Sequence, residues 1–384
     1  MGAGTARSTS ESNAIALMSV GYGLARRRRR SLGRAILGWP RFETLKGARV
    51  NRTGSLLVAS PGGHLDELLI LVDQLGLSRD EAVWVSAPTS QTRSLLAGEK
   101  VVWLPRIGSG ERRKALQALP AAIRIHRRLR PSLLVSTGAL FAVPHLLAAA
   151  GYRCETWFVD SATRVDAPSQ TGRLAQRLPG VKLFAQGDGW GDRRWQSVPS
   201  VLEAFESARH PASPDLRVSS KSATKVVVTL GTELWPFPRA VAGALRALPV
   251  ADVVWQTGST VFVHQGRHLQ QWLPAEELHA ALGAADVVIT HAGVGSVLAC
   301  LRQGTVPVVL PRTARQGEHI DDHQHQFARL LAERDLAVCA DPDHLSEEHL
   351  ARAAAMYVKP SPSTANRASD SSTHPLHDTD DPAG

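Results

Sequence analysis

The sequence has little cysteine, few aromatic residues and no long apolar run, and these shortages exclude several classes of protein. Its 384 residues include three cysteines, Cys154, Cys300 and Cys339, which lie far apart without a C-x-x-C spacing. This excludes a disulfide framework or a thiolate metal site, so we expect a reducing compartment, the cytoplasm. No apolar run reaches the roughly eighteen residues that a membrane-spanning helix needs.

Net charge is also missing from most of the chain. The formal charge is +9, but residues 1–54 hold eleven Lys or Arg against Glu11 and Glu43, which leaves 33 of each sign elsewhere. Because the positive charge is confined to this leader and no aromatic-basic platform follows, we expect no nucleic-acid partner.

The leader itself has a pattern that favours a membrane surface. A modest apolar stretch, Asn13 to Ala25, precedes five arginines, Arg26, Arg27, Arg28, Arg29 and Arg30. Each arginine near an anionic leaflet contributes on the order of 1 kcal/mol to binding. We therefore predict a peripheral membrane arm at the inner face of the cell membrane. A disordered solubilising leader is the alternative.

Two common nucleotide motifs are absent, and a different glycine loop is present. Neither G-x-G-x-x-G nor G-x-x-x-x-G-K-[ST] occurs, so neither a nicotinamide cofactor nor ATP hydrolysis is indicated. Instead, residues 285–310 read ADVVITHAGVGSVLACLRQGTVPVVL, which predicts strand, glycine turn, helix and strand in succession. With a helix beginning near Ser296, its free N–H groups and dipole favour an anion, most simply a phosphate.

The alternation of apolar runs and helical patterns predicts two α/β domains. SLLVAS leads into the glycine turn at Gly62 and Gly63, and KVVVTL leads into Gly231 and Thr232. We predict a leader at 1–54, a first domain at 55–206, a linker at 207–224, a second domain at 225–358 closed by a helix over 345–357, and a disordered tail at 359–384. Each domain is expected to be Rossmann-like, its parallel sheet facing a central cleft between the domains.

Two residues of the first domain are candidates for acid–base chemistry. His64 follows the glycine turn at a predicted helix N-terminus, where the dipole keeps an imidazole neutral and able to accept a proton. A histidine that only bonds backbone or phosphate is the alternative. Asp160, at the end of WFVDS, is the competing base, or the residue that orients His64.

A polar cluster in the second domain allows two interpretations. It comprises Glu318, His319, Asp321, Asp322, His323 and Gln324. His319 and His323 are four residues apart, which suits a metal, but the glutamate of H-E-x-x-H is missing. Gln324 never ionises and is suited to adjacent sugar hydroxyls. We therefore expect a sugar site with neither metal nor cofactor, or a capped helix start.

At this point the sequence resembles a known group of enzymes. SPGGHLDELL and WFVDSATRVDAPSQTGRL resemble the membrane-recruiting subunit of the eukaryotic dolichyl-diphosphate N-acetylglucosamine transferase. VVVTLGTELWPF, ADVVITHAGVGSVLACLRQGTVPVVLPR and GEHIDDHQ resemble its catalytic subunit and the carboxyl domain of the peptidoglycan-precursor N-acetylglucosaminyltransferase. Bacterial exopolysaccharide transferases are similar to both. The resemblance covers about 55–357.

This resemblance implies a GT-B fold and inverting, metal-independent transfer from a UDP-sugar to a lipid-diphosphate-linked saccharide. By analogy, the diphosphate is held by Gly231, Thr232, His291, Ala292, Gly293, Gly295 and Ser296. Gln324 holds the donor sugar, and His64, Gly62 and Gly63 face the acceptor; His323 is a further predicted substrate-binding residue. Relatives usually carry a ribose-binding acid where this chain has Ala299, and Glu318 is the predicted substitute.

The predicted enzyme is therefore a hexosyltransferase of exopolysaccharide or cell-envelope synthesis. N-acetylglucosamine is the first candidate sugar, with glucose and glucuronic acid open. A UDP-sugar epimerase of the same architecture and a non-catalytic donor-binding or scaffold subunit are the alternatives.

Overall fold

A computed structural model describes residues 54–361, apart from 109, 189, 191, 212–223, 233 and 249–251. Nearly all of the predicted leader, including Arg26–Arg30, and residues 362–384 of the predicted tail lie outside the described residues. In the described part, no helix is both long and apolar enough to cross a bilayer.

The first domain is built on one parallel sheet. Its strands are β1 (Ser55–Ala59), β2 (Ala82–Ser86), β3 (Val101–Trp103), β4 (Leu133–Gly138), β5 (Glu155–Val159), β6 (Val181–Gln186) and β7 (Trp195–Val198). Their order across the sheet is β3-β2-β1-β4-β5-β6-β7. The connecting helices are α1 (Gly63–Gln74), α2 (Ser90–Leu95), α3 (Arg112–Leu129), α4 (Val143–Ala149) and α5 (Gln170–Ala175). Central strands such as β1 are buried throughout because helices cover both faces of the sheet.

The second domain repeats this plan. Strands β9 (Lys225–Thr229), β10 (Asp252–Gln256), β13 (Val287–His291), β14 (Val308–Leu310) and β15 (Val338–Cys339) form a parallel sheet in the order β10-β9-β13-β14-β15. A small hairpin joins β11 (Val263–His264) to β12 (Arg267–His268). The helices are α6 (Pro238–Ala247), α7 (Ala275–Ala284), α8 (Val294–Arg302), α9 (His323–Glu333) and α10 (Glu347–Ala354).

The chain returns to the first domain at its described end. Strand β16 (Met356–Pro360) pairs antiparallel with β8 (Phe205–Arg209), and the Ser361 N–H donates to the Ala204 carbonyl. Three predicted boundaries are therefore wrong. The linker at 207–224 begins with strand residues, the closing helix ends at Ala354 and does not reach 357, and Lys359 and Pro360 belong to a strand and not to a disordered tail.

Both predicted glycine loops lie at switch points of their sheets. In the first sheet, the strands that follow β1 extend the sheet towards one edge, and the strands that follow β4 extend it towards the other edge. In the second sheet, the same reversal occurs between β9 and β13. Loops at the carboxyl ends of such neighbouring strands diverge and leave a crevice, where open α/β sheets bind ligands. This topology places the Gly62 loop beside the end of β4, and the Gly231 loop beside His291.

Candidate functional site

The Gly62 loop of the first domain is shaped by two different demands on its glycines. Gly62 has φ of 87°, a left-handed conformation that disfavours side chains. Gly63 is required by close approach, because a Cβ there would lie 2.5 Å from Val294 Cγ1 and 2.9 Å from the Gly295 nitrogen. The loop predicted to face the acceptor thus also touches the second domain.

The N-terminal turn of α8, at Gly295, makes the other side of this contact. A Cβ on Gly295 would lie 2.8 Å from the Gly63 nitrogen and 2.9 Å from its Cα. Helix α8 begins at Val294, two residues earlier than the predicted start near Ser296, with Gly293 as its N-cap. The first turns of α1 and α8 therefore approach each other across the domain boundary, and the unpaired N–H groups of both helix starts belong to one region.

Two ion pairs fix this contact between the domains. Arg302 of α8 donates to Asp66 Oδ1 at 2.6 Å and to the Asp66 carbonyl at 3.0 Å. Arg164, in the loop after β5, donates to Asp321 Oδ2 at 2.9 Å. Asp66 is 4% exposed in its side chain, so its pair with Arg302 is well shielded from solvent.

His291 occupies the space that glycines leave free in the second domain. A Cβ on Gly231 would lie 2.3 Å from His291 Cε1, and a Cβ on Gly293 would lie 2.1 Å from His291 Nε2. The structure thus brings together Gly231, His291 and Gly293, as predicted. Ala292 is fully buried and offers only its backbone, whereas Gly295 and Ser296 are partly exposed and Thr232 is exposed.

The surroundings of His291 favour an anion. Burial and the nearby Arg312 guanidinium hold the pKa of His291 well below its usual range, so the ring is neutral. Arg312 is 1% exposed and donates to the carbonyls of Leu230, Trp235 and Glu318. Our sequence interpretation missed this buried cation, and its only sequence signal was an arginine two residues after an apolar strand.

His64 lies where a reacting group would face both domains. Its carbonyl accepts a hydrogen bond from Thr137 Oγ1 at 2.6 Å, and its ring approaches Gly138 at the end of β4. The side chain is 31% exposed. Loss of solvent around the ring is the main cause that lowers the pKa of His64 to about 4, and the positive charge of Arg164 adds to it. The imidazole is therefore neutral and able to accept a proton.

Glu67 is the acidic neighbour of His64 that the sequence interpretation missed. Its Oε2 lies 3.8 Å from His64 Nδ1, and both atoms are buried without a hydrogen-bond partner. Its Oε1 accepts from the Ser161 hydroxyl, the Ala162 N–H and Gln186 Nε2. Burial raises the pKa of Glu67 to about 8, so the carboxyl is mostly protonated at pH 7. The i, i+3 spacing from His64 was the available signal.

Asp160 has a different role from the two that were predicted for it. It is 1% exposed, and its oxygens accept from the backbone N–H groups of Ser161 and Ser169. This carboxylate organises the loop over residues 161–169, which carries Arg164. The geometry therefore supports neither a general base at Asp160 nor the orientation of His64 by it, since Glu67 lies beside the ring.

The polar cluster of the second domain divides into structural and accessible groups. Glu318 is 3% exposed, both its oxygens accept from Arg239, and Oε2 also accepts from the Thr313 N–H. The prediction that Glu318 replaces the ribose-binding acid is therefore not supported. Gln324 is buried at the start of α9, where its Oε1 accepts a hydrogen bond from the backbone N–H of Arg312. His323 is bonded to Asp321.

Sequence comparison relates the chain to known glycosyltransferases. Residues 226–381 match the glycosyltransferase family 28 C-terminal domain. The UDP-N-acetylglucosamine–N-acetylmuramyl-(pentapeptide) pyrophosphoryl-undecaprenol N-acetylglucosamine transferase of Alcanivorax borkumensis is 26% identical over 303 residues, which cover 74% of this chain and 83% of the relative. The enzyme of that name from Verminephrobacter eiseniae is 24% identical over 312 residues, with the same shares covered.

A solved structure is also similar. The crystal structure of MurG from Acinetobacter baumannii is 16% identical, with a TM-score of 0.46 over 79% of this chain and 94% of that chain. The predicted resemblance to the peptidoglycan-precursor transferases is confirmed by the family and sequence matches, and the predicted pair of Rossmann-like domains is confirmed by the fold.

Proposed function

The chain is a glycosyltransferase of the family 28 type, and from this premise we propose that it transfers a sugar from a UDP-sugar to a lipid-diphosphate-linked saccharide. The transfer inverts the configuration at the anomeric carbon of the sugar and needs no metal. N-acetylglucosamine is the first candidate donor sugar, because the similar transferases are named for it. The product belongs to exopolysaccharide or cell-envelope synthesis at the inner face of the membrane.

The contact between the Gly63 and Gly295 loops carries this proposal. It places His64, the residue after Gly63, beside the helix start that would hold the donor diphosphate. A base on the acceptor side and a leaving group on the donor side then face each other across the boundary between the domains. That arrangement suits a single displacement, which inverts the anomeric centre.

Fixed dipoles and one buried cation take the role of a metal in this proposal. The N–H groups of Val294, Gly295 and Ser296 point from the start of α8, and Arg312 lies beneath the Gly231 loop. Preorganised donors of this kind stabilise charge that develops on a leaving diphosphate. His323, at the start of α9, would face the sugar, whereas the buried Gln324 holds the backbone of Arg312 in place.

Donor binding tests this assignment. Calorimetric titration of the full chain in EDTA should show UDP binding, and one UDP-sugar should bind more tightly than UDP because the sugar adds hydrogen bonds. Ser296→Ala should weaken the binding of every UDP-sugar while leaving the order of preference among them unchanged. Absence of UDP binding in EDTA, with binding restored by Mg²⁺, would contradict metal-independent binding of the diphosphate.

The described part of the chain also offers a surface suited to membrane binding. Helix α3 carries no acidic residue, and its exposed face presents Leu116 (52% exposed) and Ile123 (41% exposed) among arginines and a lysine. Apolar side chains within a basic face are typical of helices that lie in a bilayer interface. We propose that α3 acts with the predicted arm at Arg26–Arg30.

Replacing both apolar residues should release the protein from lipid. We expect Leu116→Ser with Ile123→Ser to weaken binding to phosphatidylglycerol-containing vesicles at least about tenfold, since each buried leucine or isoleucine contributes roughly 1.5–3 kcal/mol. Sedimentation with vesicles measures this. Val261→Ser, at a 66% exposed position in the second domain, is the matched control. Equal losses in both proteins would argue against α3.

A further inference from the structure

Three side chains that chelate metals converge beside the domain boundary. The ligand atoms of His319, Asp321 and His323 all lie within 4.8 Å of one another. His319 Nδ1 is 3.4 Å from Asp321 Oδ1, and His323 Nδ1 is hydrogen-bonded to the same oxygen. Ligands of a tetrahedral ion lie about 2.0–2.2 Å from it, so neighbouring ligand atoms are separated by roughly 3.4 Å. Small side-chain rotations suffice to bind an ion here.

The surrounding contacts hold these ligands in place while leaving a way in. The His319 ring lies 4.7 Å from the His323 ring and 5.1 Å from the Trp235 ring. His323 is the first residue of α9, which fixes its backbone. The side chain of Asp321 is 40% exposed, so an ion from solvent reaches the carboxylate.

Arg164 supports the ligand geometry but opposes the charge of an ion. It donates to Asp321 Oδ2 at 2.9 Å and leaves Oδ1 for the two histidines. Hydrogen bonds to the second oxygen of a ligating carboxylate are usual around bound metals. Its positive charge, however, repels a cation and reduces affinity.

We propose that His319, Asp321 and His323 bind a divalent transition-metal ion of the Zn²⁺ class, with solvent completing its coordination. Two imidazoles and one carboxylate favour Zn²⁺, Co²⁺ or Ni²⁺ over Mg²⁺ and Ca²⁺, which prefer oxygen ligands. A bound cation reduces the attraction between Asp321 and Arg164, a contact between the domains.

Cobalt titration of the tag-free, metal-stripped full chain tests the site without any substrate. We expect one Co²⁺ to bind with the intense visible absorption of a four- or five-coordinate site, and to quench the fluorescence of Trp235. His319→Gln and His323→Gln should each weaken binding at least about tenfold, because each removes one of three ligands. Arg164→Gln should tighten it several-fold. Zn²⁺ should displace the Co²⁺.

His325→Gln is the matched control, since His325 bonds to Thr313 and lies two residues beyond the cluster. Its Co²⁺ affinity should equal that of the unmodified protein. The proposal is overturned if His319→Gln and His323→Gln, folded by circular dichroism, bind Co²⁺ as tightly as the unmodified protein. It is also overturned if the unmodified protein shows only the weak absorption of hexaaquo Co²⁺. Both results leave the proposed transferase activity untouched.

Discussion

Replacing His64 with alanine is expected to lower turnover by about 10² to 10⁴, the usual contribution of a general base. The neutral ring lies next to the Gly63–Gly295 contact, where the acceptor hydroxyl would meet the donor. Release of UDP in the presence of a lipid-diphosphate acceptor measures the effect. His344→Ala, at a side chain 86% exposed in the second domain, is the control. Turnover within threefold of the original would exclude His64 as the base.

Glu67 makes the same prediction depend on pH. When the protonated carboxyl closes the 3.8 Å gap to His64 Nδ1, its O–H donates there, which leaves the proton on Nε2 and no lone pair there for a substrate. Above the Glu67 pKa of about 8, the carboxylate instead accepts from Nδ1–H and frees Nε2. Turnover should therefore rise by about tenfold between pH 7 and pH 9, following the ionised fraction of Glu67.

Glu67→Gln isolates this effect, because an amide keeps the shape of the carboxyl without titrating. The variant should lose the rise between pH 7 and pH 9 while keeping donor affinity. An unchanged pH profile in Glu67→Gln would show that another group controls the protonation of His64.

Gly295→Ala is the second change with a large expected effect. Its methyl group would lie 2.8 Å from the Gly63 nitrogen and 2.9 Å from its Cα, both backbone atoms that cannot turn away. The two loops must separate, and a misplacement of about 1 Å at a reacting centre costs about 10² in rate. We expect turnover to fall by about that factor while the thermal stability changes little.

Gly151→Ala provides the comparison for this substitution. A Cβ at Gly151 would meet the Ala148 carbonyl oxygen at an ordinary 3.5 Å. Turnover in this variant should match the unmodified protein. If Gly295→Ala were as active as Gly151→Ala, the contact between the two glycine loops would have no part in catalysis.

The repeated strand, glycine turn and helix pattern was sufficient to predict both domains. The apolar run that ends at Ile289 and the glycines after it are local signals, and the structure confirms the succession of strand and helix there. The return of β16 to β8 was missed because its partners lie about 150 residues apart and Met356–Pro360 follows a helical pattern without a break. Pairing over such distances leaves no local periodicity to detect.

The candidate site was only partly predictable for a similar reason. Gly231, His291 and Gly293 stand in recognisable motifs, and the structure brings them together. Glu67, Arg312 and Arg164 act through partners distant in sequence, such as Ser161, Leu230 and Asp321. Burial turns an ordinary glutamate into a carboxyl with a raised pKa, and the residue type alone does not reveal that burial.

UDP release by the full chain, measured in EDTA with UDP-N-acetylglucosamine and a lipid-diphosphate-linked saccharide, tests the proposed function most directly. The account predicts release that requires the acceptor and proceeds without added divalent ions. Conversion of the UDP-sugar without acceptor would indicate an epimerase, and donor binding without turnover on any lipid acceptor would indicate a non-catalytic subunit. Either result would contradict the proposed transfer.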